Sequence, residues 1–151
     1  MKKSLVILLT LVMIISSVFC LPVSALSENK VTETTIEYLE NGDYIETVIT
    51  YEDSLTRATK TGSKTKNYKN ASTGATIWSV TVTCTFSYTG SLSSCTAVSH
   101  SAKSYSSSCT IKSVSSSRAG NTGTATAVAS YNSKNYTMSV SLSCSTYGEL
   151  S

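Results

Sequence analysis

The sequence predicts an all-β protein: a small antiparallel β-sandwich, Ig-like in general architecture, preceded by a signal peptide and an acidic β-hairpin. Three observations lead there. Several short runs alternate strictly between apolar and polar residues, the signature of a strand with one buried face. No window places apolar residues at helical spacing. Clusters of turn-forming residues separate the alternating runs.

The chain has 151 residues, room for one domain once a targeting segment is removed. Residues 1–25 read as a signal peptide. Lys2 and Lys3 give a positive start, LVILLTLVMII and SSVF an apolar run, and Val23-Ser24-Ala25 the small residues that a signal peptidase reads, with cleavage after Ala25. A retained membrane anchor is the alternative, disfavoured by that small-residue site and its polar sequel. Lipid attachment at Cys20 is disfavoured by the bulky Phe19 before it. Nothing after Ala25 is long and apolar enough to span a bilayer. The expectation is a secreted, extracellular protein with no stable membrane span.

Residues 26–57 form an acidic leader. Between Leu26 and Asp53 stand eight acidic residues and one basic one, Lys30; from Ser54 to Ser151 stand nine basic residues and one acid, Glu149. The two parts carry net charges near −7 and +8. Within the leader, TTIEYLENGDYIETVITYE places two alternating runs around Asn41-Gly42, a strong hairpin signal. A lone hairpin is marginal in water, so this one docks on the following domain or stays apart from it.

Residues 58–151 form a basic, Ser/Thr-rich domain. In WSVTVTCTFSY the residues Trp78, Val80, Val82, Cys84, Phe86 and Tyr88 fall on one face. In YTMSVSLSC the corresponding set is Tyr136, Met138, Val140, Leu142 and Cys144. Weaker alternation runs through 95–99, 109–114 and 124–131. Turn signals lie after Tyr88, at 119–123 and at 132–135. About six short strands with one apolar face each make a two-sheet sandwich.

Removal of Cys20 leaves Cys84, Cys95, Cys109 and Cys144, an even set with three pairings open to it. In an oxidising compartment disulfides are expected. A zinc site is the alternative, but no two cysteines are spaced C-x-x-C and only one histidine exists.

The runs TRATKTGSKTKNYKN, WSVTVTCTFSYTGS and SCTA, with the ending SLSCSTYGELS, resemble a group of small exported Ser/Thr-rich β-domain proteins of Gram-positive, largely gut-dwelling bacteria. The resemblance covers most of residues 55–151. It implies the compartment and the fold, and no mechanism. It also implies the pairings Cys95–Cys144 and Cys84–Cys109, since the usual cysteine pair of the group matches Cys95 and Cys144.

The enzyme classes fare poorly. Glycoside hydrolysis usually needs two carboxylates, and the basic domain has only Glu149. A serine triad would need His100 with an acid, and the acids available are those of the leader or Glu149 near the end of the sequence. Disulfide-bonded cysteines supply no thiol nucleophile. The leader's acids are spread out rather than bunched as calcium ligands are, and no phosphate-binding glycine loop is present. No catalytic residue, metal or cofactor is expected.

Binding is the stronger class. Lys60, Lys64, Lys66, Lys69 and Lys112 are candidates for contact with anionic surfaces, with Lys103, Arg118 and Lys134 adding charge. Six tyrosines of the domain, Tyr68 to Tyr147, supply amphipathic aromatic surface. The expected partners are anionic or carbohydrate polymers of a cell wall or host surface, unless the domain is purely structural. Nucleic acid is not expected outside the cell, and the sequence leaves the oligomeric state open. An alternative makes the leader a pro-segment, cut near Arg57 to release a cationic, antimicrobial-type domain. Against it stands a leader that stays and caps edge strands of the domain.

Overall fold

The structure is a computed structural model that describes residues 29–53 and 58–151. The signal segment with Ala25 and the expected processing position Arg57 lie outside the described residues. Eight strands follow in order: β1 (Asn29–Tyr38), β2 (Tyr44–Asp53), β3 (Thr59–Lys69), β4 (Thr76–Tyr88), β5 (Ser93–Ser104), β6 (Cys109–Ala119), β7 (Thr122–Tyr131) and β8 (Lys134–Ser143). No helix occurs among the described residues. All pairings are antiparallel.

The strands form two sheets, a five-stranded one in the order β1-β2-β3-β4-β5 and a three-stranded one in the order β6-β7-β8. They pack face to face, with β4 against β7 and β8, β5 against β7, and β3 against β8. Two packed antiparallel sheets are the part of the expected architecture that is present. Every hydrogen-bonded neighbour is also a sequence neighbour, so the Greek-key crossing of the Ig fold is absent from the described residues.

Turn chemistry explains those connections. Asn132 and Ser133 both have positive φ, 49° and 63°, the pair of left-handed residues that a two-residue hairpin of matching twist requires. The Asn41-Gly42 hairpin is wider than two residues. Leu39 N donates to Asp43 O at 2.8 Å, and Asp43 N donates to the Asn41 side-chain oxygen at 3.2 Å.

The predicted core faces are the observed ones. Trp78, Val80, Val82, Cys84 and Phe86 of β4 are almost wholly buried, as are Val140, Leu142 and Cys144 at β8 and its end. Opposite the middle of β4, the buried positions of β7 are Gly123, Ala125, Ala127 and Ala129, with Tyr131 following on the same face at the strand's end. Small residues there make room for the bulkier side chains of β4 at native packing density. On the outer faces, hydroxyls pair across strands: Ser63 with Thr83 at 2.8 Å, Thr65 with Thr81 at 2.8 Å, Thr126 with Ser139 at 2.7 Å. The Ser/Thr richness is thus a set of cross-strand pairs on solvated sheet faces.

The acidic hairpin supplies two of the five strands of the larger sheet, β1 and β2. β2 pairs with β3 from Tyr44 opposite Lys69 to Tyr51 opposite Gly62. Ile49 contributes to the core. The domain boundary expected at 57/58 therefore falls between two hydrogen-bonded strands of one sheet.

Candidate binding site

β3 was not legible as a strand, yet it positions the site. Its register with β4 sets Lys60 opposite Phe86, Lys64 opposite Val82, Lys66 opposite Val80 and Tyr68 opposite Trp78. Side chains opposite one another in a sheet share a face, so three lysines project from the same face as the core of β4. They fall toward the outer flank of that face, where β1 and β2 extend the larger sheet past β6–β8. Lys64 and Lys66 are partly exposed. Burial holds the Lys64 ammonium below its usual range, neighbouring Lys66 lowers it further, and Glu33 on β1 pulls the other way.

Lys60 sits where three parts of the chain meet. Its Nζ donates to Gly148 O at 3.1 Å and lies 4.3 Å from the centre of the Tyr51 ring, a cation–π arrangement. Residues 145–151 make a hook that returns along the end of β8. Ser143 and Ser151 exchange two backbone hydrogen bonds of 3.0 Å, and the Ser145 hydroxyl accepts the amides of Tyr147 and Glu149 at 3.2 and 3.1 Å. Leu150 is buried over Gly62, where any Cβ would overlap its Cδ1. Gly148, at φ 87°, lies on the face of the Tyr88 ring.

The result is a cleft of about 360 Å³. Tyr51 and Tyr147 provide aromatic surface, Lys60 a cation, and Glu33 and Glu149 two carboxylates. Tyr147 is 78% exposed. Aromatic faces with convergent donors and acceptors suit polyhydroxylated ligands, and the neighbouring Lys64 and Lys66 suit anions.

The chain matches no family model, no curated protein and no solved structure. The site is therefore read from its own chemistry.

The other expected lysines lie elsewhere. Lys69 points to the opposite face, ion-paired with Glu46 at 2.9 Å, and Asn67 Nδ2 donates to the same carboxylate at 3.1 Å. Lys112 belongs to the three-stranded sheet, at the irregularity between Ile111 and Ser113. Three of the five candidates come together, and two do not.

Two of the leader's acids, Glu46 and Asp43, bond to the domain. Tyr68 donates its hydroxyl to Asp43 Oδ2 at 2.8 Å and accepts from Asn41 Nδ2 at 3.0 Å, while Asp43 Oδ1 accepts Ala71 N at 3.0 Å. Burial pushes the Tyr68 phenol up to about 12; the Asn41 bond opposes this and Asp43 reinforces it. The Tyr68 ring stacks on Trp78 at 6.5 Å and meets Tyr131 and Tyr136.

The cysteine pairings require a correction. Cys84, Cys95, Cys109 and Cys144 are all buried free thiols, so neither Cys84–Cys109 nor Cys95–Cys144 is formed in this structure. For the first pair the fold supplies a reason. Cys109 follows the turn beside Ile77 and Ser104, at the Trp78 end of β4. Cys84 lies six residues further along β4, roughly 20 Å at strand rise. Cys144 closes β8, its amide donating to Asn121 O at 3.1 Å. The thiol that Cys84 meets is Cys95.

His100 is exposed, with its Nδ1 2.7 Å from Ser116 Oγ across the gap between β5 and β6. Among the described residues no group of three or more His, Cys, Asp and Glu side chains is arranged to hold a metal ion.

Proposed function

We propose that the chain is a secreted, non-enzymatic β-sandwich protein that binds acidic glycopolymers of a cell surface through the β3 face. The observation that carries this reading is the row Lys60, Lys64 and Lys66 beside Tyr51 and Tyr147. The cleft at Lys60 takes sugar hydroxyls against its tyrosines and carboxylates, and Lys64 and Lys66 take the polymer's anionic groups. In this reading the chain is exported, cut after Ala25, and keeps its acidic hairpin, because β2 and β3 share a hydrogen-bond ladder and Glu33 lines the same cleft.

The test is retention of the full exported chain on immobilised poly(glycerol phosphate) wall polymer and on a neutral glucan, at rising sodium chloride. Retention on the acidic polymer should fall as salt screens the contact, over a range set by a Debye length of about 10 Å at 0.1 M. Lys64→Gln with Lys66→Gln should weaken it by about tenfold, the equivalent of ~1.4 kcal/mol. Absence of retention at low salt overturns the proposal. So does retention that the two substitutions leave unchanged.

A further inference from the structure

Two thiols meet at one point in the interior. Cys84 on β4 is 1% exposed and Cys95 on β5 is 5% exposed. The β4–β5 register slips between Thr85 and Phe86, so that Thr96 has no opposite residue and Cys95 faces Phe86. An extra residue of this kind bends a strand and re-aims its side chains. Both sulfurs occupy the hollow left by the missing side chain of Gly123 on β7. A Cβ there would overlap Cys84 Sγ and lie 3.4 Å from Cys95 Sγ. The Cys95 thiol donates to Ala97 O at 3.3 Å, which holds its sulfur beside the Cys84 side of the hollow.

We propose that Cys84 and Cys95 are a redox pair, which a disulfide-bearing oxidant (a small molecule or a protein) converts to an intramolecular disulfide joining β4 to β5. In this proposal the oxidant approaches Cys95 from the outer side of β5. A recess of about 510 Å³ is lined there by Ser94, Cys95, Thr96, Arg118 and Gly120, and Arg118 Nη1 donates to Cys95 O at 3.4 Å. Cys84 lies deeper. Its thiol is pushed up to about 12 by burial first and by Cys95 second, so it is the poorer first nucleophile.

The exchange runs in two displacements. The Cys95 thiol loses its proton and attacks one sulfur of the oxidant's disulfide, forming a mixed disulfide and releasing one thiol. The Cys84 thiol then loses its proton and attacks the Cys95 sulfur, and the second oxidant thiol leaves. Two protein thiols are oxidised to one disulfide, and one oxidant disulfide is reduced to two thiols.

The experiment uses the full exported chain, reduced, freed of reductant and titrated with oxidised glutathione. Remaining thiols are alkylated, and linkages are mapped by mass spectrometry after chymotrypsin. No Lys or Arg lies between the two cysteines, but Phe86, Tyr88 and Leu92 do, so chymotrypsin separates them where trypsin would not. The expected result is one link, Cys84 to Cys95. In Cys84→Ser the reaction should stop at a glutathione adduct on Cys95, whereas Cys95→Ser should give no adduct on Cys84. A link from either residue to Cys109 or Cys144 overturns the proposal, as does recovery of both in alkylated form. Should Cys84→Ser fail to fold, the wild-type map decides alone.

Discussion

Lys60 Nζ is 3.1 Å from the carbonyl oxygen of Gly148, 88 residues later in the chain. One hydrogen bond thus joins β3 to the C-terminal hook, while the same ammonium rests on Tyr51 of the hairpin. This cation touches both sides of the cleft.

Replacing Lys60 with Met keeps an unbranched apolar stem and removes the charged end. Loss of a charge-assisted bond and a cation–π contact should destabilise the fold by about 1–2 kcal/mol. Urea unfolding of the two proteins measures it. An unchanged midpoint would mean that the hook is held by Leu150 and the backbone bonds of Ser143 alone.

Gly62→Ala should cost about 1–3 kcal/mol, because the new methyl would overlap Leu150 Cδ1 and overpacking forces neighbours to shift. Adding Leu150→Ala should recover part of that cost. The two changes share one space, so a double-mutant cycle should be non-additive by more than about 0.5 kcal/mol.

Tyr68→Phe removes a hydroxyl that bonds Asp43 and Asn41 and should cost about 1–2 kcal/mol. The same residue sets an alkaline limit. Its phenol is raised to about 12 in the folded protein from an ordinary value of 10.0, so the folded state holds this proton more tightly than the unfolded state. That contribution is fully present below pH 10 and is lost as pH rises toward about 12. Denaturation midpoints should fall over that window in the wild type and fall less steeply in Tyr68→Phe.

A chain beginning at Ala58 should not retain the stability of the longer one. It lacks Ile49 in the core and the β2 partner of β3, and it presents β3 as a long bare edge, an invitation to strand pairing between molecules. Size-exclusion chromatography should show association or precipitation. A monomer with unchanged unfolding would return the hairpin to the status of a removable pro-segment.

β4 and β8 were readable because each alternates large apolar residues with Ser or Thr, and period-two burial has no other common source. β3 was not. Its core-side positions are Lys60, Gly62, Lys64, Lys66 and Tyr68, and its outer positions are Thr61, Ser63, Thr65 and Asn67. Polar residues on both faces erase the hydrophobic period. Lysine tolerates the core-side position by running its methylene stem along apolar surface with the ammonium near water. The hook escaped for a similar reason, since one leucine in STYGELS carries its burial.

By itself the sequence determined the all-β class, the β4 and β8 core faces, the turn at Asn41-Gly42 and the opposed charges of the two segments. Each is a local property, set by side-chain period, by the φ preferences of glycine and asparagine, or by composition. Only the tertiary structure decided that the hairpin completes the sheet, that Lys60 meets Gly148 and that Cys84 meets Cys95. These depend on which strands become neighbours and in what register. A slip of one residue, as at Thr85 and Phe86, changes which side chains face each other without leaving a mark in the local pattern.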